Sequence, residues 1–221
     1  MSNNSIIDIS SFFFNSVKAN FVFSKIDLDP CIITDLGFHK NEVAIPEQIH
    51  SNKVRWINSA GRYKLVDGLI TANNNIVLTL KVADCVPVYF YNLNKNIIGL
   101  VHAGWRGIVT GIIPNTIEIM QKHGANLDNT YIYMGPSIRR CCYEVGGEVA
   151  KLFDKDTKLK INSKKYKIDL KKQISIQLEK LGIPKNNIKV SLICSYESSF
   201  CQSYRRDGVN SERMHALIGY K

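Results

Sequence analysis

The sequence predicts an α+β fold, with mixed β-sheets flanked by helices in a single domain spanning residues 1–221. Three observations point there. Apolar, β-branched runs near 66–72, 76–91 and 97–102 are separated by asparagine-rich turns, Asn73-Asn74-Asn75 and Asn92-Leu93-Asn94-Lys95-Asn96. Helical periodicity is confined to a few segments, and strands and helices follow no regular βαβ rhythm. The composition, 45% apolar and 22% charged, is that of an ordinary globular chain long enough to bury a core.

The elements follow in order. Met1 to Ser5 lacks the basic start and small-residue cleavage site of a signal peptide, and the apolar patch Ile6 to Phe14 is too short and too broken by Asp8 and serines to span a bilayer. A cytoplasmic protein with no membrane partner is the expectation. The three β-rich runs read as neighbouring strands of one sheet, the second broken around Asp84-Cys85, because Pro87 cannot donate to a central ladder. After Gly107, Ile108, Ile112 and Ile119, with Val109, Ile113 and Met120 one step over, recur at helical spacing as far as His123-Gly124. Pro114 is expected to kink that helix, since a proline in a helix interior costs about 3 kcal/mol.

A strand near 130–134, the Gly135-Pro136 turn and a short helix near 146–153 come next. Asp169 then caps a helix that turns Leu170, Ile174, Leu178 and Leu181 inward and stops at Gly182. Residues 188–193 and 214–220 complete the set as strands.

The formal charge of +10 raises the question of nucleic acid. From Lys151 to Lys172 nine lysines face three aspartates, a net +6 in 22 residues, yet arginine-rich and base-stacking aromatic motifs are missing there. A solvated lysine face explains the run, and no specific nucleic-acid partner is expected. The six cysteines are scattered and do not form a secreted disulfide framework, so they read as reduced. Cys141 and Cys142, placed in an extended segment, should point to opposite sides and serve the structure rather than catalysis.

Chemistry concentrates in Val82-Ala83-Asp84-Cys85-Val86-Pro87-Val88 and Val101-His102-Ala103-Gly104-Trp105-Arg106-Gly107. They place a thiol and an imidazole at the ends of two consecutive β-runs, beside a Gly-Trp-Arg-Gly turn that opens a helix. His50 lies upstream in Glu47-Gln48-Ile49-His50-Ser51-Asn52-Lys53-Val54. Taken singly, Cys85 reads as a small buried hydrophobe and His102 as a core imidazole bonded to a carbonyl. Together with His50 they suggest three metal ligands from separate strands with a coordination position left open, although their spacing fits no short zinc-finger signature. Arg106, at the expected helix start, is suited to hold a phosphate or carboxylate, or else to stack on Trp105.

Five segments in order resemble the YfiH-like family: Gln48-Ile49-His50, the two segments above, Gly135-Pro136-Ser137-Ile138 with Cys142-Tyr143-Glu144-Val145-Gly146, and Ser203-Tyr204-Arg205-Arg206-Asp207-Gly208. Its members, first labelled polyphenol oxidase or laccase-domain proteins, are regarded as zinc-dependent purine nucleoside phosphorylases that also deaminate adenosine. The resemblance implies one α+β domain with a fold shared with Cys/His hydrolases. It implies a Zn2+ ion on His50, Cys85 and His102, and action on adenosine, inosine, guanosine and methylthioadenosine with phosphate as co-substrate.

On that reading Cys85, His102 and Asp84 carry catalysis, with Asp67 and Glu144 as further candidates for moving the proton. Arg106, Arg205 and Arg206 bind substrate, and the protein acts as a monomer or homodimer. Two departures bear on substrate range: Val209-Asn210-Ser211-Glu212-Arg213 stands where a Thr-Gly-Arg-like turn is usual, and Pro114 interrupts a helix expected to be continuous. The same residues admit a cysteine hydrolase with Cys85 as nucleophile and His102 as base; the resemblance also allows a peptidoglycan-precursor editing enzyme, and the basic segment a nucleic-acid-binding module. Five scattered histidines are too few for a multi-copper centre.

Overall fold

The computed structural model describes residues 6–23, 30–38 and 42–220. Along the chain, β1 (Ile6–Asp8) and β2 (Val17–Val22) are followed by α1 (Pro30–Asp35), β3 (Glu42–Pro46), β4 (Val54–Trp56) and β5 (Gly61–Tyr63). The central apolar runs form β6 (Gly68–Thr71), β7 (Ile76–Val82), β8 (Val86–Asn92) and β9 (Ile97–Ala103), and α2 (Trp105–Thr110) and α3 (Ile112–Lys122) come next. Then β10 (Thr130–Met134), β11 (Glu144–Gly146), α4 (Gly147–Ala150), β12 (Lys158–Lys160) and β13 (Lys165–Ile168) lead to α5 (Leu170–Lys180). The chain ends in β14 (Ile188–Val190), α6 (Tyr204–Asp207) and β15 (Met214–Tyr220).

Two six-stranded sheets, ordered β1-β2-β15-β7-β3-β5 and β14-β10-β8-β9-β6-β4, pack face to face, and β11-β13-β12 form a small third sheet. Successive strand side chains point to opposite faces, and both large sheets are covered on both sides, which is why their strands read as unbroken apolar runs. In β8, Tyr89 and Tyr91 enter the core between the sheets, while Val86, Val88 and Phe90 face a second core under α2, α3 and α5. In β7, Leu78 and Leu80 face the inter-sheet core and Val77 faces a smaller one closed by Ile33 of α1 and Leu36 just after it. The layer order is helix, sheet, sheet, helix. The mixed α+β architecture expected from sequence is therefore found.

Two expectations need correction. The runs 66–72, 76–91 and 97–102 are not all neighbours in one sheet: β6, β8 and β9 share a sheet, but β7 lies in the other. The break at Asp84, whose φ of 83° turns the chain, is where it crosses between sheets. The helix after Gly107 is not kinked at Pro114. It ends at Gly111, which takes φ 97°, and a new helix starts at Ile112. Pro114 thereby falls in the first turn of α3, where a missing amide hydrogen has no intrahelical acceptor to lose.

The Asp169 cap is present, its side chain accepting the Lys172 amide at 3.0 Å, and Leu170, Ile174 and Leu178 are buried. Most of the lysine run is exposed or half-buried. Lys171 is the exception, 5% exposed with its Nζ donating to the Ser191 carbonyl at 2.8 Å. No helix among the described residues is long and apolar enough to cross a membrane.

Candidate functional site

The register of the second sheet assembles the site. β8 and β9 run antiparallel with Pro87 opposite His102, which brings Cys85, just before β8, to the end of β9. β6 pairs with the other side of β9, Gly68 opposite Val101, so that Asp67 arrives beside His102. His50 comes from the loop after β3, with φ 60°. The ligand atoms of His50, Cys85 and His102 all lie within 4.8 Å of one another, and the two imidazole rings meet edge to face at 4.8 Å.

Asp67 organises this cluster. Fully buried, its carboxylate accepts the His50 amide at 2.9 Å, the Ser51 amide at 2.6 Å and the Ser51 hydroxyl at 2.7 Å. It also faces His102 Nδ1 at 2.9 Å. Burial raises its pKa, but His102 and the Ser51 donors outweigh burial and hold it below the usual carboxylate value. With Nδ1–H directed at Asp67, the Nε2 edge of His102 is left for the Cys85 side.

Burial pushes the Cys85 thiol up, but His102 and His50 beside it bring it down to about 6. Burial pushes His102 down, and Cys85 and Asp67 raise it to about 9. The pair is thus a thiolate held by an imidazolium, an arrangement in which a cation can replace the imidazolium proton.

Two imidazoles, one thiolate and a carboxylate behind one of the imidazoles form a donor set able to hold a metal ion, of a kind that suits zinc with a position left open. The backbone leaves room for it. A Cβ on Gly104 would come to 3.1 Å from Cys85 Sγ and 3.3 Å from His50 Cδ2, and one on Gly107 would meet the Ser51 carbonyl at 2.7 Å. These glycines of the His-Ala-Gly-Trp-Arg-Gly segment let the start of α2 press against the His50 loop. The residues present fit a zinc ion.

The remaining candidates separate by what they touch. Arg106 is exposed and stacked on Trp105, its guanidinium carbon 4.4 Å from the ring centroid. Arg205 lies 5.0 Å from the Tyr143 ring centroid and donates to the Glu144 carbonyl at 2.6 Å. Burial first, and then the Cys85 charge, push the Tyr143 hydroxyl up to about 12, while Arg205 and Arg106 pull the other way. Tyr143, which the sequence reading did not single out, therefore stays a neutral hydroxyl within electrostatic reach of Cys85 and of both arginines.

Arg206 is committed to the protein. Its guanidinium donates to the carbonyls of Ser195, Tyr196, Ser198 and Cys201 and pairs with Asp207. Asp84 is likewise engaged, accepting the Ser195 hydroxyl and the Arg205 amide, both at 2.6 Å. The Glu144 carboxylate faces Lys165 at 3.6 Å. Cys141 and Cys142 do not diverge as expected: the segment is a turn, not a strand, and their sulfurs lie 3.3 Å apart.

Comparison with known proteins matches this framework. The family model described as multi-copper polyphenol oxidoreductase laccase covers residues 31–221. A purine nucleoside phosphorylase of Staphylococcus epidermidis is 34% identical over 203 residues, 84% of this chain and 76% of that protein. The chain belongs to the YfiH-like family. An adenosine deaminase from an unknown prokaryotic organism is 33% identical, over 85% of this chain and 79% of its own length. The crystal structure of YfiH from Bacillus licheniformis superposes with a TM-score of 0.90 at 27% identity, covering 100% of this chain and 98% of that one. In this YfiH-like chain, His50 and His102 are the only histidines among the described residues that join a cluster able to hold a metal.

Proposed function

We propose that this YfiH-like protein is a zinc-dependent purine nucleoside phosphorylase that also deaminates adenosine. It converts adenosine, inosine, guanosine or methylthioadenosine and phosphate to the free base and the ribose 1-phosphate. One observation carries the reading: His50, Cys85 and His102 converge on a carboxylate-backed cluster, and the Cys85 charge and the charges of Arg106 and Arg205 act on one neutral tyrosine. The names of the relatives, purine nucleoside phosphorylase and adenosine deaminase, support the substrate class. The chain works as one cytoplasmic domain over residues 1–221, as a monomer or homodimer.

Zinc held by His50, Cys85 and His102 would polarise a water or a substrate oxygen. The chain's own groups do the rest. Asp67 keeps the Nδ1 proton on His102 and fixes the ring, which leaves Nε2 as the nitrogen that would ligate the ion. Arg106 and Arg205, the two arginines whose charges act on the Tyr143 hydroxyl, hold the phosphate against the ribose. The Tyr143 hydroxyl donates a hydrogen bond to the bound anion or nucleoside. Asp84 acts at one remove, fixing Arg205 through its backbone amide.

The test is metal analysis of the purified protein together with product analysis on adenosine, with and without phosphate. Expected are a stoichiometric zinc, adenine and ribose 1-phosphate only when phosphate is present, and inosine with ammonia in either case. Turnover that survives complete removal of metal would overturn the reading in favour of Cys85 acting as a nucleophile with His102 as its base.

A further inference from the structure

A second cluster of soft donors stands apart from this site, and no function above uses it. Cys141, Cys142, Cys194 and Glu197 present three sulfurs and a carboxylate whose ligand atoms all lie within 4.8 Å of one another. Cys141 Sγ is 3.7 Å from Cys194 Sγ and 3.3 Å from Cys142 Sγ. In a tetrahedral zinc site with Zn–S near 2.3 Å, neighbouring sulfurs are about 3.8 Å apart. The 3.7 Å separation matches the edge of such a tetrahedron, the 3.3 Å pair would have to open by about 0.5 Å to reach it, and both are far longer than the S–S bond of about 2.05 Å in a disulfide.

The surroundings suit a metal thiolate. The backbone amides of Glu197, Arg139 and Tyr196 face the buried Cys194 sulfur, as amides do around a metal-bound sulfur. Cys194 and Glu197 sit three residues apart on one loop, so a single turn supplies two donors and the Cys141-Cys142 turn supplies the other two. Three thiolates and a carboxylate around a divalent ion leave a net charge of about −2. Arg139, Arg140 and Lys167, which line a cleft of about 360 Å³ beside Cys141 and Glu197, offset that charge. Because every position is filled by protein, the site is closed and structural, unlike the open position at Cys85.

The geometry points to a second zinc site, in which Cys141, Cys142, Cys194 and Glu197 clamp the turn before Tyr143 to the loop before Arg205. The Ser137–Cys194 bridge and the Ser195 amide, donating to the Ser137 carbonyl at 3.0 Å, already lay these segments side by side. The ion would fix the spacing between two walls of the nucleoside site without touching the nucleoside.

Zinc content measured on the purified full chain, reduced and dialysed against a weak chelator, decides this. About two zinc ions per chain are expected in the native protein, and about one in each of Cys85→Ala and Cys194→Ser. Cys141 is exposed, so Cys141→Ser keeps the fold and should also fall to about one. Cobalt in place of zinc reads the sulfur count: the strong sulfur-to-cobalt absorption of a three-thiolate site should persist in Cys85→Ala and vanish in Cys194→Ser. One zinc per chain in the native protein with none in Cys85→Ala would overturn the proposal and leave the first site standing. A Cys141–Cys194 disulfide, seen as the loss of two hydrogens in protein purified without reductant, with no second metal, would also overturn it.

Discussion

Asp67 and His102 are joined at 2.9 Å between two fully or nearly fully buried groups, and the same carboxylate carries the amides of the loop that presents His50. One side chain therefore fixes two of the three candidate ligands. Asp67→Asn keeps the shape but replaces one carboxylate oxygen with an NH2 that faces donors instead of accepting them. Metal affinity, read by chelator competition, should fall roughly 10–100-fold. Unchanged affinity would mean that the His102 ring is held by packing alone.

Gly104 and Gly107 test the close approach of α2. Gly104→Ala puts a methyl 3.1 Å from the Cys85 sulfur and 3.3 Å from a His50 ring carbon, so the ligands must shift and metal content should drop. Gly107→Ala meets a backbone carbonyl, Ser51 O, at 2.7 Å, which cannot rotate away. That substitution should cost about 1–3 kcal/mol in a urea melt, with the metal loss following from the displaced His50 loop. A Gly107→Ala protein as stable as the parent would show that the loop yields freely.

The pairing of Cys85 with His102 was legible because thiol and imidazole stand at strand ends in short, distinctive segments, and His50 joined them through the family resemblance. What organises it was less so. Asp67 was only one of three acids considered for the proton, although a lone carboxylate in Val66-Asp67-Gly68-Leu69-Ile70, at the head of an apolar strand, must find several donors if it is buried. Tyr143 gave no signal of its own, because its place depends on a turn that brings residues 139–143 over β8. The assignment of β7 and β8 to different sheets was also beyond local reading. Strands buried on both faces show no period that says which sheet they join. Pro114 misled for a related reason: Gly111, three residues earlier, could end one helix and free the proline to begin another.

Lys171 gives the pH test. Burial, and then Arg139, lower its ammonium pKa to about 7, against 10.5 for an ordinary lysine. Between those values the unfolded chain binds more protons than the folded one, so stability should rise as pH goes from about 7 to 10.5 and be flat below. Lys171→Met removes the buried charge but leaves the Ser191 carbonyl without its donor. It should gain about 1–3 kcal/mol at pH 6–7 and lose that gain by about pH 10, in denaturant melts across the range. A pH-independent difference between the two proteins would show that the ammonium finds water in the folded state.

Arg106 and Arg205 divide the phosphate question. Both influence the Tyr143 hydroxyl, but Arg205 is anchored to the Glu144 carbonyl, whereas the Arg106 side chain rests, among the described residues, only on the Trp105 ring, a contact that leaves its guanidinium edge open. An arginine contact to phosphate contributes about 1.5–3 kcal/mol. Arg106→Ala should therefore weaken phosphorolysis roughly 10- to 150-fold, mainly through the KM for phosphate. Adenosine deamination needs no phosphate and should suffer less in the same variant. Steady-state kinetics of both reactions decide between the two roles for this residue. Equal losses would make Arg106 a structural partner of Trp105 and pass the anion to Arg205, since the Arg206 guanidinium is already bound to four carbonyls and Asp207.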